Sequence, residues 1–145
     1  MDLVKLLNTL TGGHLLEWKV VLASVVFLLA GAQVFLAARF YERIPLAISG
    51  KTAARIHRYS GRTAATLAVL VGLSCLIGPA GPLTPARVLL HSIFGTLVFA
   101  LLAAKYLVLK LARGADRLLP YIGTGIFLSF AALWATSVAD YITAR

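Results

Sequence analysis

The sequence predicts an all-α integral membrane protein: a four-helix bundle of antiparallel up-down topology, with both termini outside. Three observations lead there. The chain has 145 residues, enough for one domain. Of these, 60% are hydrophobic and 13% charged, with a mean hydropathy of +0.90, whereas soluble domains average about 45–50% apolar and about 25% charged. A small soluble fold exposes too much of its surface to hide this much apolar material, and disorder needs the opposite composition. The third observation is distribution. The apolar residues fall in four long runs, and a hydrocarbon core about 30 Å thick takes roughly 20 helical residues to cross. Membrane strands would alternate with a period of two, and these runs do not.

The first span is expected at about 20–38, with Gln33 its only strongly polar member. Before it, residues 3–10 suit a short interfacial helix broken at Gly12-Gly13. Ala30-Gly31-Ala32 follows an apolar run, as a signal-peptidase site would. The stretch before that run is long and contains Glu17, whereas a secretory signal opens with a short basic segment, so the first helix is expected to stay uncleaved. The second span, about 57–77, ends at the turn cluster Gly78-Pro79-Ala80-Gly81-Pro82-Leu83-Thr84-Pro85. The third is expected at about 88–108. The fourth, about 118–139, has Pro120 in its first turn, where a missing N–H costs nothing. All 145 residues read as a single transmembrane domain.

Orientation follows from the basic residues. Arg39, Arg43, Lys51, Arg55, Arg58 and Arg62 flank the first connection, and Lys105, Lys110, Arg113 and Arg117 the third. Only Lys5, Lys19, Arg87 and Arg145 belong to the other side. Cytoplasmic loops carry the Lys/Arg excess, so both basic connections are expected in the cytoplasm and the protein in the cell membrane. Lys105, inside the third span, can snorkel toward that interface. Arg43, Lys51, Arg55, Arg58, Arg113 and Arg117 are expected at the headgroup level, facing anionic lipid; the alternative is that they only set topology. A net charge of +9 would suggest nucleic acid in a soluble chain. No basic run is interleaved with base-stacking aromatics, so no nucleic-acid partner is expected.

Composition removes much of the remaining chemistry. The single cysteine excludes a disulfide framework, a zinc ribbon and a Cys-x-x-Cys redox motif, and Cys75 in an apolar setting should be inert. Five acidic residues, none inside a span, leave no carboxylate pair and no intramembrane proton relay. No HExxH, GxSxG or P-loop pattern occurs. Interior charges and broken central helices, the marks of a transporter, are lacking too.

Three histidines are left: His14, His57 and His91. A histidine within a span is a candidate functional group; the alternative is an interhelical hydrogen bond. His57, among Arg55, Arg58 and Arg62, reads as an interfacial residue. In antiparallel helices rising 1.5 Å per residue, His57 and His91 would stand on the order of 25 Å apart, too far to share one iron. A bis-histidine haem at His91 would need His14, which precedes the first span on the same side; a single axial histidine is the other option. Met1 is the only methionine, which argues against a His/Met site. Gly61, Ala65, Ala68, Gly72 and Cys75 form a small-residue stripe on the second helix, and Gly95 lies one turn from His91. Such a stripe lets a flat ring approach the backbone, or lets two helices approach each other. Gly123, Phe127, Phe130, Trp134 and Tyr141 line one side of the fourth helix, as packing, an interface belt or a cofactor wall.

These segments carry a resemblance. Arg87-Val-Leu-Leu-His91-Ser-Ile-Phe-Gly95 resembles the Leu-His-Ser-x-x-Gly segment of the cytochrome-b561-like transmembrane b-type cytochromes. His57-Arg58-x-x-Gly61-Arg62 resembles the helix starts of membrane haem reductases. Over a little more than half the chain, the sequence resembles a family of uncharacterised bacterial four-helix membrane proteins. The shared points are Gly61-Arg62, Cys75, Arg87, His91-Ser92, Gly95, Ala104-Lys105, Leu119-Pro120 and Trp134-Ala-Thr-Ser137. The resemblance implies haem b at His91, near the outer side and beside Gly95, Gly72 and Cys75; by the geometry above, His14 would be its second ligand. The chain departs from it at Ser74, where that family commonly has a histidine opposite His91. Two functions are therefore expected. One is a transmembrane b-type cytochrome-like subunit in electron transfer. The other is a cofactor-free accessory or assembly subunit of a larger membrane complex, with other membrane subunits as partners in either case.

Overall fold

Every long apolar run is a helix, and the helices overrun the apolar windows. The computed structural model describes residues 3–77, 84–111 and 114–143; the turn positions 78–83, Arg113 and Arg145 lie outside the described residues. In chain order the helices are α1 (Leu3–Leu10), α2 (Leu15–Phe40), α3 (Gly50–Ile77), α4 (Pro85–Leu111), α5 (Leu119–Trp134) and α6 (Asp140–Thr143). A 3-10 turn, Asp116–Leu118, precedes α5, and a π-helical turn, Ala135–Ala139, follows it. There is no strand among the described residues. Four helical stretches are long and apolar enough to cross a membrane: Leu15–Phe40, Gly50–Ile77, Pro85–Leu111 and Asp116–Val138. The overrun has a simple cause. Charged residues such as Glu17, Arg39 and Arg55 end an apolar window but do not end a helix, because their side chains can leave the hydrocarbon while the backbone ladder continues.

The ends of the helices are built by local chemistry. Past α1 the Gly13 amide reaches the Asn8 carbonyl (2.7 Å) and the Gly12 amide that of Thr9 (3.1 Å). That crossed pair is a Schellman stop, with Gly12 supplying the left-handed φ of 63°. The same pattern closes α2, where Arg43 N–H bonds the Ala38 carbonyl (2.8 Å) and Glu42 N–H that of Arg39 (3.0 Å). Ser49 caps α3 by accepting the Thr52 amide (3.1 Å). Thr84 does the same for α4 with the Arg87 amide (3.4 Å), and Pro85 is its first helical residue.

Packing runs α3 on α2, α2 on α5, and α5 on α4. The buried positions are mostly small or β-branched: Val26 and Ala30 on α2, Ala53, Ala64 and Ala68 on α3, and Val98 on α4. Small residues let backbones approach where no hydrophobic effect drives helices together. Large apolar side chains such as Leu28, Phe35, Leu76 and Leu109 point outward, as a lipid-facing surface requires. Between α3 and α4 the Phe99 ring covers Gly72 so closely that a Cβ there would lie 2.7 Å from Cζ.

Candidate functional site

The π-helical turn builds one polar cluster. A π turn departs from the regular i→i−4 ladder and is often found where a helix carries function. Here it faces Arg87 and His91, four residues apart on one face of α4. Arg87 Nε donates to the Thr136 carbonyl (3.1 Å). His91 Nδ1 pairs with the Ser137 hydroxyl (2.8 Å). Trp134, just before the turn, donates through Nε1 to the Ser24 hydroxyl on α2 (3.0 Å). Phe27 of α2 stacks on both Trp134 (5.3 Å between centroids) and Phe127 (6.0 Å). The cluster therefore ties α4, the π turn and α2 together. On α2 nearby in sequence, Lys19 is buried, at 9% exposed.

A second polar cluster lies toward the opposite end of the bundle. With its amide oriented so that donors face acceptors, Gln33 donates to His57 Nδ1 and to the His57 carbonyl, 3.0 Å each. Its oxygen then faces the Gly61 amide (3.2 Å) and the Ser60 hydroxyl (2.6 Å). A Cβ at position 61 would come 2.8 Å from the amide nitrogen in this orientation, so any larger residue there would make the Gln33 side chain shift. The Phe40 ring meets His57 edge-on at 5.2 Å.

The residues singled out as a cofactor site are thus dispersed. His14 sits at the N-cap of α2 without capping it, and its side chain is 71% exposed with Nδ1 3.8 Å from Glu17 Oε1. Gly95 has open space beside it, whereas Gly72 is covered by Phe99. Cys75 is exposed, and the Ser74 hydroxyl turns back onto the Val71 carbonyl (2.7 Å). Among the described residues no three His, Cys, Asp or Glu side chains converge as metal ligands. Of the basic set, Arg43, Lys51, Arg55, Arg58 and Arg117 are all exposed. The sequence reading did not foresee the Gln33–His57 cluster. Its signal was present in Gln33, a lone amide inside a span, which needs a partner there.

Residues 5–145 match DUF6529, a family of unknown function. The chain belongs to that family. No curated protein and no solved structure matches it. The match covers nearly the whole chain, and none of the comparisons shows a similarity to the cytochrome-b561-like proteins.

A haem with two histidine ligands does not fit these residues. His91 offers one free nitrogen, Nε2, because Nδ1 is engaged by Ser137. His14 is exposed beside Glu17. Ser74 is no iron ligand, and Phe99 occupies the part of the small-residue stripe at Gly72.

Proposed function

We propose that this multi-pass membrane protein is a cofactor-free accessory or assembly subunit of a larger membrane complex in the cell membrane. One observation carries the reading: the polar side chains that could hold a cofactor join helices instead. His91 and Arg87 of α4 are engaged by the π turn, and His57 of α3 by Gln33 of α2. Interhelical hydrogen bonds in membranes contribute about 0.6 kcal/mol each on average. Their effect here is to fix which helices neighbour which, and so to present a defined outer surface to other subunits.

A second reading has its own support. His91 is oriented by Ser137 through Nδ1 with Nε2 left over, and Gly95 leaves space one turn away. That is the arrangement of a single axial ligand with its outer-shell hydrogen bond. In this reading the chain is a b-type cytochrome-like electron-transfer subunit, and haem b supplies the redox chemistry. An absorbance spectrum of protein purified from haem-replete cells separates the two. The accessory-subunit reading predicts no stoichiometric Soret band. A band abolished by His91→Ala and kept by His57→Ala would establish the cytochrome reading instead. Gentle detergent extraction tests the partner. Migration with other membrane subunits is expected, and migration as a lone monomer overturns the accessory role.

A further inference from the structure

Three arginines and one tyrosine of α3 line a depression of about 180 Å³: Arg55, Arg58, Tyr59 and Arg62. Their spacing of three, four and seven residues puts all the guanidinium groups on one helical face. The opposite face carries Ala53, Ala64 and Ala68, buried against the bundle. Among the described residues none of the three guanidinium groups has an ion pair or side-chain hydrogen bond to protein. Like charges at this spacing repel one another on a bare helix, so the group is at its most favourable with an anion between them. The fork of a guanidinium matches the oxygens of a phosphate in pairs, as a lysine ammonium does not.

The depth of the cluster says what kind of phosphate. At 1.5 Å per residue the 28 residues of α3 reach roughly 42 Å, well beyond a hydrocarbon core of about 30 Å. After Arg62 the helix carries no charge to its end at Ile77, about 22 Å, so the basic turns fall at the headgroup level or just inside it, where a guanidinium can still snorkel to the surface. Further along the same face, Val69, Leu70 and Leu73 are exposed. Headgroup-level cations followed by an exposed apolar track make an amphiphilic complement within a single helix.

We propose that Arg55, Arg58, Arg62 and Tyr59 form a discrete site for the phosphate of an acidic phospholipid, whose acyl chains run along Val69, Leu70 and Leu73. This differs from a diffuse basic layer in which Lys51 and Arg117 would count equally. It is independent of whether the chain joins a complex.

The test is native mass spectrometry of the full chain in detergent, titrated with phosphatidylglycerol, phosphatidylcholine or inorganic phosphate. One phosphatidylglycerol per chain should be retained in preference to phosphatidylcholine, and inorganic phosphate should not displace it. The triple variant R55Q/R58Q/R62Q should lose about tenfold or more in retention, and K51Q/R117Q no more than about twofold. Should the triple variant fail to fold, R58Q alone, with its thermal transition unchanged, should still weaken retention measurably. Equal losses in the triple variant and in K51Q/R117Q would overturn the discrete site in favour of diffuse attraction. Displacement by inorganic phosphate as readily as by lipid would overturn the lipid assignment and leave a soluble phosphate site. Unaltered retention in R58Q and the triple variant would overturn both.

Discussion

Glu42 holds φ at 60°, in the position of the α2 stop that Gly12 occupies in the α1 stop. A side chain in the left-handed region costs roughly 1–2 kcal/mol because Cβ crowds the carbonyl that follows. Glu42 is exposed, so Glu42→Gly should raise stability by about 1 kcal/mol, less what the freer unfolded chain takes back. Thermal unfolding in detergent checks it, and a lower transition temperature would contradict the strain. The His91–Ser137 bond makes a second case. Ser137→Ala should lower stability by about 0.6 kcal/mol, up to about 1.7. It should also move the imidazole nitrogen chemical shifts of His91 and leave those of His57 in place; unmoved His91 signals would show that the bond is absent in the membrane protein. His91 was legible in the sequence because a histidine inside a span needs a partner. Ser137 was legible only as part of a motif, and its role was not. A π turn takes an extra residue, so everything beyond Ala135 is rotated away from where α-periodicity would aim it.

The helices themselves were readable from hydropathy, and their order in space was not. Lipid-facing and protein-facing sides of a membrane helix are both apolar, so the pattern that locates a span does not reveal which face is buried. Small residues supply the missing signal in part. The stripe through Ala68 and Gly72 reads first as a helix contact and second as a cofactor face, and the structure shows Ala68 buried and Gly72 under Phe99. Gly72→Ala should be nearly neutral, because the ring of Phe99 is the far end of a half-exposed side chain and can swing. Gly72→Leu fills the space the ring needs and should cost about 1–3 kcal/mol, the usual range for overpacking. Phe99→Ala in the same chain should recover most of that loss. A Gly72→Leu protein as stable as the parent would mean that α3 and α4 do not meet there. The helix ends were readable to the extent that a cap could be seen. Ser49 and Thr84 fit their caps, but nothing in the sequence marks Glu42 as a left-handed residue.

At the scale of the whole chain, composition alone decided the solvent, and the balance of basic residues carries an expectation about direction. Both basic connections should face the cytoplasm. In a Cys75→Ser background, a cysteine placed at position 50 should be protected from an impermeant thiol reagent in intact cells; labelling there would invert the topology. Function was the least legible level. The motifs around His91 resemble those of haem proteins and Ser74 departs from that pattern, while His91 and His57 are engaged by protein groups that no spacing rule could have named.

The packing order has a consequence for how the molecule is made. Because α3 lies on α2 and α4 on α5, each half of the chain is a hairpin of consecutive helices that can pair as soon as it has been inserted. The seam between the halves, mainly α2 against α5, closes last and carries the Trp134–Ser24 bond and the Phe27 stack. Loop-closure entropy favours this sequence, since near neighbours meet before distant ones. Two fragments divided between Ile77 and Thr84 and produced together should therefore find each other in the bilayer and co-purify, and failure of the separate hairpins to associate would show that the continuous chain is needed to bring them together. A gene encoding either hairpin alone would yield a membrane-inserted piece with one long, unsealed side.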